Sequence, residues 1–179
     1  LDFKGKKIML ASAGGSSRCV LDGEGTNRIA WFDASGDKQT IRGFTFVDGF
    51  ASNGGAVFIE KGSAPVFEDC VFAGNHASTG GAISVTGTGK VTLRRVTFVD
   101  NEALAVGGAV YVSSSSSLAT VQHCTFVGNS ISSPTGRGGA LATNVGASAN
   151  LADSIFWSNT ASGGSSIAPQ AASMAAVPP

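Results

Sequence analysis

Carboxylates, histidines, serines and thiols are the groups in this chain able to do chemistry, and their spacing decides what chemistry is open to them. Two carboxylates flanking a bond would serve glycoside hydrolysis. An acidic Ca²⁺ site beside a base would serve proton abstraction from a sugar acid. The acidic residues do not line up for either. Glu68 lies 26 residues from Arg42 and 26 from Arg94, and Asp69 lies 26 from Arg95. If the chain repeats at that interval, these are cross-strand ion pairs, each worth under ~1 kcal/mol on a surface. Asp100-Asn101-Glu102 is the densest remaining acidic stretch. Asp48 is equivalent to Asp100 two intervals earlier, but Gly74 stands between them, so no acidic ladder forms. Asp22 and Glu24 around Gly23, and Asp33 with Asp37, read as turns.

His76 and His123 are the two histidines, and neither has a second at ligand spacing. His123 falls between Arg95 and Asp153, where a solvated or Asp-paired ring is expected. Ser113 to Ser117 reads as a polar turn, since no His-Asp partner is positioned for a nucleophile. Cys19, Cys70 and Cys124 make neither a disulfide framework nor a metal cluster. Two intervals would hold Cys70 and Cys124 about 9.6 Å apart, beyond the ~7 Å reach of a disulfide, so free buried thiols are expected. No catalytic, cofactor-binding or metal-binding residue is assigned.

What positions these groups is an internal repeat. Gly-Gly-Ala followed by an aliphatic residue recurs at Gly54–Val57, Gly80–Ile83, Gly107–Val110 and Gly138–Leu141, with a worn copy at Gly163–Ile167. Phe-x-x-Asn alternates with it, as Phe72 with Asn75, Phe98 with Asn101, Phe126 with Asn129 and Phe156 with Asn159. Phe46 opens a first copy in which Gly49 replaces Asn. The Phe residues are 26, 26, 28 and 30 apart, a period foreign to heptads, and Val, Ile, Thr and Phe fill the intervals as strand formers.

Aligned on Phe, residues five before it are apolar (Ile41, Phe67, Leu93, Val121, Leu151), and so are most residues two before it. Apolar columns three apart cannot share a face of one straight strand. A corner must therefore lie at the polar pair between them, such as Glu68-Asp69 or Arg94-Arg95. The expected fold is all-β: a right-handed parallel β-helix of about six coils, ~26 residues per coil, over residues 1–167. Residues 168–179 form an uncharged Ala- and Pro-containing tail. Asn75, Asn101, Asn129 and Asn159 are expected to stack as an amide ladder at one corner. The glycines supply backbone angles or close approach that a Cβ would forbid.

Composition closes off other classes. Formal charge is zero and charged residues are 13%, which gives no footprint for nucleic acid. No apolar run reaches the ~20 residues of a membrane span. The start lacks an initiator Met and a signal peptide, so the chain reads as a processed or truncated piece of something longer.

The alternation of Gly-Gly-Ala-[Ile/Val/Leu] and Phe-x-x-Asn, with Phe3–Lys6 through Leu21–Gly25 as opening coils, resembles the chlamydial polymorphic outer membrane proteins and their pectate-lyase-like β-helix relatives. That resemblance implies a secreted or cell-surface location and a role in adhesion or scaffolding. Two outer strips are candidates for contact. Beside the Phe column, Thr45, Val47, Thr97, Val99, Thr125, Val127 and Trp157 make an uncharged strip; its Thr column is too interrupted for ice binding. A second outward strip is expected to hold Ala56, Phe58, Ala82, Ser84, Ala109, Tyr111, Ala140 and Ala142, with Phe58 and Tyr111 as sugar-stacking candidates. The expectation is a noncatalytic extracellular or surface module, structural or adhesive, that meets protein partners or copies of itself through uncharged strips or open ends. The alternative is a polysaccharide-binding or polysaccharide-degrading β-helix enzyme. No cofactor is expected.

Overall fold

The polar pairs that interrupt the apolar columns are corners. Their second residue takes the left-handed conformation in successive coils, at Gly43, Asp69, Arg95, His123 and Asp153. A non-glycine residue there costs about 1–2 kcal/mol, least for Asp, whose short side chain bonds locally. A second corner follows each Phe strand, with Asp48, Gly74, Asp100, Gly128 and Ser158 in the same conformation. Between corners the chain runs as strands of two to five residues.

The computed structural model describes residues 1, 6–33, 38–163 and 167–169, the last three by backbone alone. Four parallel sheets wrap one core, and each strand pairs with its counterparts one coil before and after. The first face contains Met9–Ala11, Thr40–Arg42, Val66–Glu68, Lys90–Arg94, Leu118–Gln122 and Ser148–Ala152. The phenylalanine face contains Val20–Asp22, Thr45–Val47, Val71–Ala73, Thr97–Val99, Thr125–Val127 and Ile155–Trp157. The third face runs from Phe50–Asn53 through His76–Thr79, Glu102–Val106 and Ser130–Ile131 to Thr160–Ala161. The glycine face starts at Ala30–Phe32, continues through Val57–Ile59, Ile83–Val85, Val110–Val112 and Leu141–Thr143, and ends at Ile167–Pro169.

Phe46, Phe72, Phe98, Phe126 and Phe156 stack through the interior at centroid distances of 4.6, 5.1, 4.6 and 4.6 Å, nearly parallel. Phe67 closes edge-on against Phe46 and Phe72. The register matches Phe to Phe, so rings one coil apart cannot avoid each other and gain by stacking.

The asparagines form the ladder at the second corner. Asn75 Nδ2 donates to Asn101 Oδ1 at 2.8 Å, Asn101 Nδ2 to Asn129 Oδ1 at 2.9 Å, and Asn129 Nδ2 to Asn159 Oδ1 at 2.8 Å. Each Oδ1 also accepts the backbone N–H of the ladder position one coil earlier, beginning with Gly49 N–H to Asn75 at 2.9 Å. Each amide group donates back to a Phe carbonyl of the preceding coil, as Asn101 does to Phe72 at 3.0 Å. Gly49 breaks the Asn pattern because a Cβ there would strike the backbone of Gly55 and Ala56. The second glycine of each Gly-Gly is required in the same way: a Cβ on Gly81 would collide with the carbonyl oxygens of Gly108 and Glu102.

Coil length varies at identifiable places. The register steps by one residue between Ala77 and Thr79 opposite Ala103 and Val106. Most of the increase to 30 residues falls at Ser132–Gly136, a loop beyond Ser130–Ile131.

Candidate functional site

The titratable groups of the first face pair across coils. Arg95 Nε and an outer guanidinium nitrogen donate to the two carboxylate oxygens of Asp69 at 2.6 and 3.2 Å. That hydrogen bond holds the Asp69 carboxyl below the usual carboxylate range and raises the Arg95 guanidinium above its own. Glu68 accepts from Arg94 at 3.3 Å, while Arg42 occupies the register position on its other side. His123 lies 3.6 Å from Asp153, and on the third face His76 lies 3.6 Å from Glu102. Among the described residues no three His, Cys, Asp or Glu side chains converge as metal ligands.

Asp48 and Asp100 do not face each other. Their carboxylates lie over Gly74 and Gly128 in the following coils, in space a Cβ would enter. Asp22 accepts the Glu24 backbone N–H at 2.7 Å, a local turn. Asp37 lies outside the described residues. Ser113–Ser117 is a turn whose buried Ser117 donates to the Gly87 carbonyl at 3.2 Å.

The cysteines are free. Cys70 and Cys124 are buried, and their thiols donate to the backbone of the neighbouring strand and corner. Burial pushes both thiols up, against the opposing pull of nearby backbone hydrogen bonds. Cys19 belongs to the same column: Thr45 N–H bonds the Cys19 carbonyl as Val71 N–H bonds that of Phe44.

The phenylalanine face presents Thr45, Val47, Thr97, Val99, Thr125 and Val127 outward, each half-buried by its neighbours. Trp157 and Ile155 end the strip at 71% and 61% exposure. Val20, Val71 and Ala73 extend the same columns.

The second strip is different from expectation. Ala56, Ala82, Ala109 and Ala140 are fully buried, and Ser84 and Ala142 nearly so. Strict alternation back from Val57 puts Ala56 outside, but the chain bends at Gly-Gly. Ala56 then donates to the Ala82 carbonyl and its methyl sits within the stack. Phe58 and Tyr111 do stay half-exposed, two coils apart with Ser84 between them. The register adds Trp31 beside Phe58. Trp31 Nε1 donates to Glu60 at 3.1 Å, and the Arg28 guanidinium lies 5.0 Å from the Phe58 ring centre. Burial lowers the Arg28 guanidinium, partly offset by Glu60. Burial raises the Tyr111 hydroxyl, with Arg137 opposing.

A family model described as the right-handed beta helix region matches residues 11–170. The chain is a right-handed β-helix protein. No curated protein and no solved structure matches it. Right-handed β-helices include enzymes and non-enzymes, so membership leaves the chemistry to the surface.

The repeat did not announce the hollows of that surface. On the third face of this β-helix a groove of about 300 Å³ is lined by Phe50, Ser52, His76, Ser78, Glu102 and Leu104. Its inward residues are the small Ala51, Ala77 and Ala103, and its outward column Phe50, His76, Glu102 changes in every coil, so neither a hydrophobic period nor a recurring signature marks the strands that build it. Trp31 escaped for a related reason: its coil reads Asn27-Arg28-Ile29 where later coils read Gly-Gly-Ala.

Proposed function

We propose that this β-helix is a noncatalytic extracellular or cell-surface module, structural or adhesive, that works by contact through the outer side of its phenylalanine face. One observation carries the reading. Along six paired strands, the two outward columns carry a single charge, on Asp22, and end in the exposed Ile155 and Trp157. On the first and third faces and their corners, several charged side chains instead pair with one another: Asp69 with Arg95, Glu68 with Arg94, His123 with Asp153 and His76 with Glu102. The resemblance of the Phe-x-x-Asn repeat to the chlamydial polymorphic outer membrane proteins supports the surface location and the adhesive role.

The occupant we assign is a second copy of the chain. Six strands at ~4.8 Å make a strip about 25 Å long and two side chains wide. Such a footprint falls below the roughly 800 Å² per partner of a stable pair. Single contacts are therefore weak, and strength comes from many copies acting together. Sedimentation velocity across a concentration series tests this. The wild type should associate reversibly, and the double substitution Thr97→Lys with Thr125→Lys should stay monomeric. A wild type that remains monomeric throughout refutes the contact reading.

A further inference from the structure

Charge is not spread evenly round the solenoid. Where each coil passes from the glycine face to the first face, one residue per coil takes the same outward position, two before the paired Met9, Thr40, Val66 and Thr92. That column runs Lys7, Lys38, Ala64, Lys90, Leu118, and its three lysines are exposed. Among the described residues none of the three makes an ion pair; the nearby Lys61 is engaged by Asp33 and Glu60 at 3.8 and 3.9 Å. Lys38 and Lys90 border a hollow of about 500 Å³ that Gly62, Ala64, Thr88 and Ser116 complete.

Two corners further round, diagonally across the coil, the second corner carries the opposite sign. Asp22 and Glu24, then Asp48, then Asp100 and Glu102 fall at or beside it, with Gly74 and Gly128 in the other coils. Residues 22–27, 47–50, 73–76, 99–102 and 127–130 include no Lys or Arg, and His76 pairs with Glu102. Asp48 and Asp100 are exposed and, among the described residues, unpaired.

The two edges match coil for coil. Lys38 and Lys90 are 52 residues apart, and so are Asp48 and Asp100. Each pair is therefore two rungs, about 9.6 Å, apart along the axis. Lys7 shares its coil with Asp22 and Glu24, Lys38 with Asp48, and Lys90 with Asp100 and Glu102. Uncharged Ala64 shares its coil with Gly74, and Leu118 with Gly128. The carboxylates over Gly74 and Gly128 give the Asp-Gly alternation a steric reason within the chain, but none that reaches the lysines.

We propose that copies of this chain align side by side, parallel and unshifted along the axis, with the lysine edge of one against the carboxylate edge of the next. A shift of one coil would set Lys38 and Lys90 against Gly74 and Gly128. An antiparallel neighbour keeps the two central pairs but sets Lys7 against Gly128. The contact is heterologous: an end copy always keeps one unused edge, so a row grows without closing. A polyanion or an anionic membrane would use the lysine edge alone and leave the matching carboxylates without a role. This contact is separate from the uncharged one on the phenylalanine face, and salt tells them apart.

The test is sedimentation velocity of the full chain at about 10 mM and about 0.3 M salt, between which the screening length falls from ~30 Å to below ~8 Å. The wild type should sediment faster at low salt, and whatever association survives at high salt belongs to the phenylalanine face. Lys38→Glu with Lys90→Glu, and Asp48→Asn with Asp100→Asn, should each weaken the salt-sensitive part at least about tenfold. Asn tolerates the left-handed corner as Asp does, and unfolding midpoints show that the variants fold. At low salt the Lys38→Glu/Lys90→Glu protein should regain association when mixed with Asp48→Lys/Asp100→Lys. If lysine at the corner costs the fold, the Asn pair carries that arm alone. Wild-type sedimentation equal at the two salts, salt-sensitive association kept by either folded double variant, or a folded mixture that stays apart would each overturn the proposal. So would salt-sensitive binding to phosphatidylserine vesicles by a chain that does not self-associate.

Discussion

Replacing Asn101 by Ala tests the ladder at its centre. The Asn101 side chain is fully buried and makes four hydrogen bonds. It accepts from Asn75 N–H at 3.1 Å and Asn75 Nδ2 at 2.8 Å, and donates to Asn129 Oδ1 at 2.9 Å and Phe72 O at 3.0 Å. The partners differ in what they keep. Asn75 Nδ2 retains the carbonyls of Phe46 and Ala73, and Asn129 Oδ1 retains the backbone N–H of residue 101. The Asn75 backbone N–H loses its acceptor in a place without water, which costs about 1–3 kcal/mol. With the void left by the amide, the total is about 2–4 kcal/mol, a large share of the ~5–15 kcal/mol typical of a domain. Urea unfolding followed by circular dichroism gives the loss, provided the slope m is unchanged. Hydrogen exchange at the Asn75 amide should accelerate in the same variant. Asn144→Ala, at an exposed side chain, should cost under about 0.5 kcal/mol. If Asn101→Ala costs no more than Asn144→Ala, the amide column is ornament and the argument fails.

Phe98→Ala empties the middle of the ring stack and should cost about 3–5 kcal/mol by denaturant unfolding, with Phe98→Leu well below it. The Asp69 carboxyl, held down by Arg95, should titrate by NMR below ~3.9 and return towards it in Arg95→Ala. Because the folded state lowers this value, its contribution is complete above the unfolded pKa and disappears as pH falls through the folded one, so the stability gap between wild type and Asp69→Asn should close below about pH 4. Thiol titration of the native protein should find Cys19 reactive and Cys70 and Cys124 slow, with the latter two released on unfolding. Burial raises both thiols, so their contribution to stability should decline as pH rises past ~8.5.

The repeat was legible because packing writes directly into it. Phe98 must meet Phe72 and Phe126, Asn101 must meet Asn75 and Asn129, and Gly81 must pass close to two carbonyls, so each constrains residue type at a fixed interval. Ion pairs such as Asp69 with Arg95 could be read from that interval alone. The groove beside His76 could not, because its alanines Ala51 and Ala77 are small and only half-buried, and the column Phe50, His76, Glu102 keeps no residue type from coil to coil. The alanines after Gly-Gly show how a local period misleads. Alternation assigned Ala56 outward, whereas four alanines at equivalent positions were the better signal, since an exposed position has no need of a small side chain. Residues 164–166 and 170–179, with the worn Gly-Gly copy and most of the expected tail, lie outside the described residues.

The asparagine ladder has a direction, and the direction sets how coils are recruited. Every ladder oxygen serves donors on the coil before it, so a coil awaiting its successor holds open N–H groups and no open amide oxygens on the side where the next strand will arrive. A newcomer shifted by one residue would offer those donors no oxygen while turning its Phe out of the stack. The amide therefore acts as a registration pin, because the hydrogen bonds at the second corner close only when successive coils are in register. Each turn thus carries its own alignment mark, and a slip at any one of them leaves buried donors of the turn before it without an acceptor.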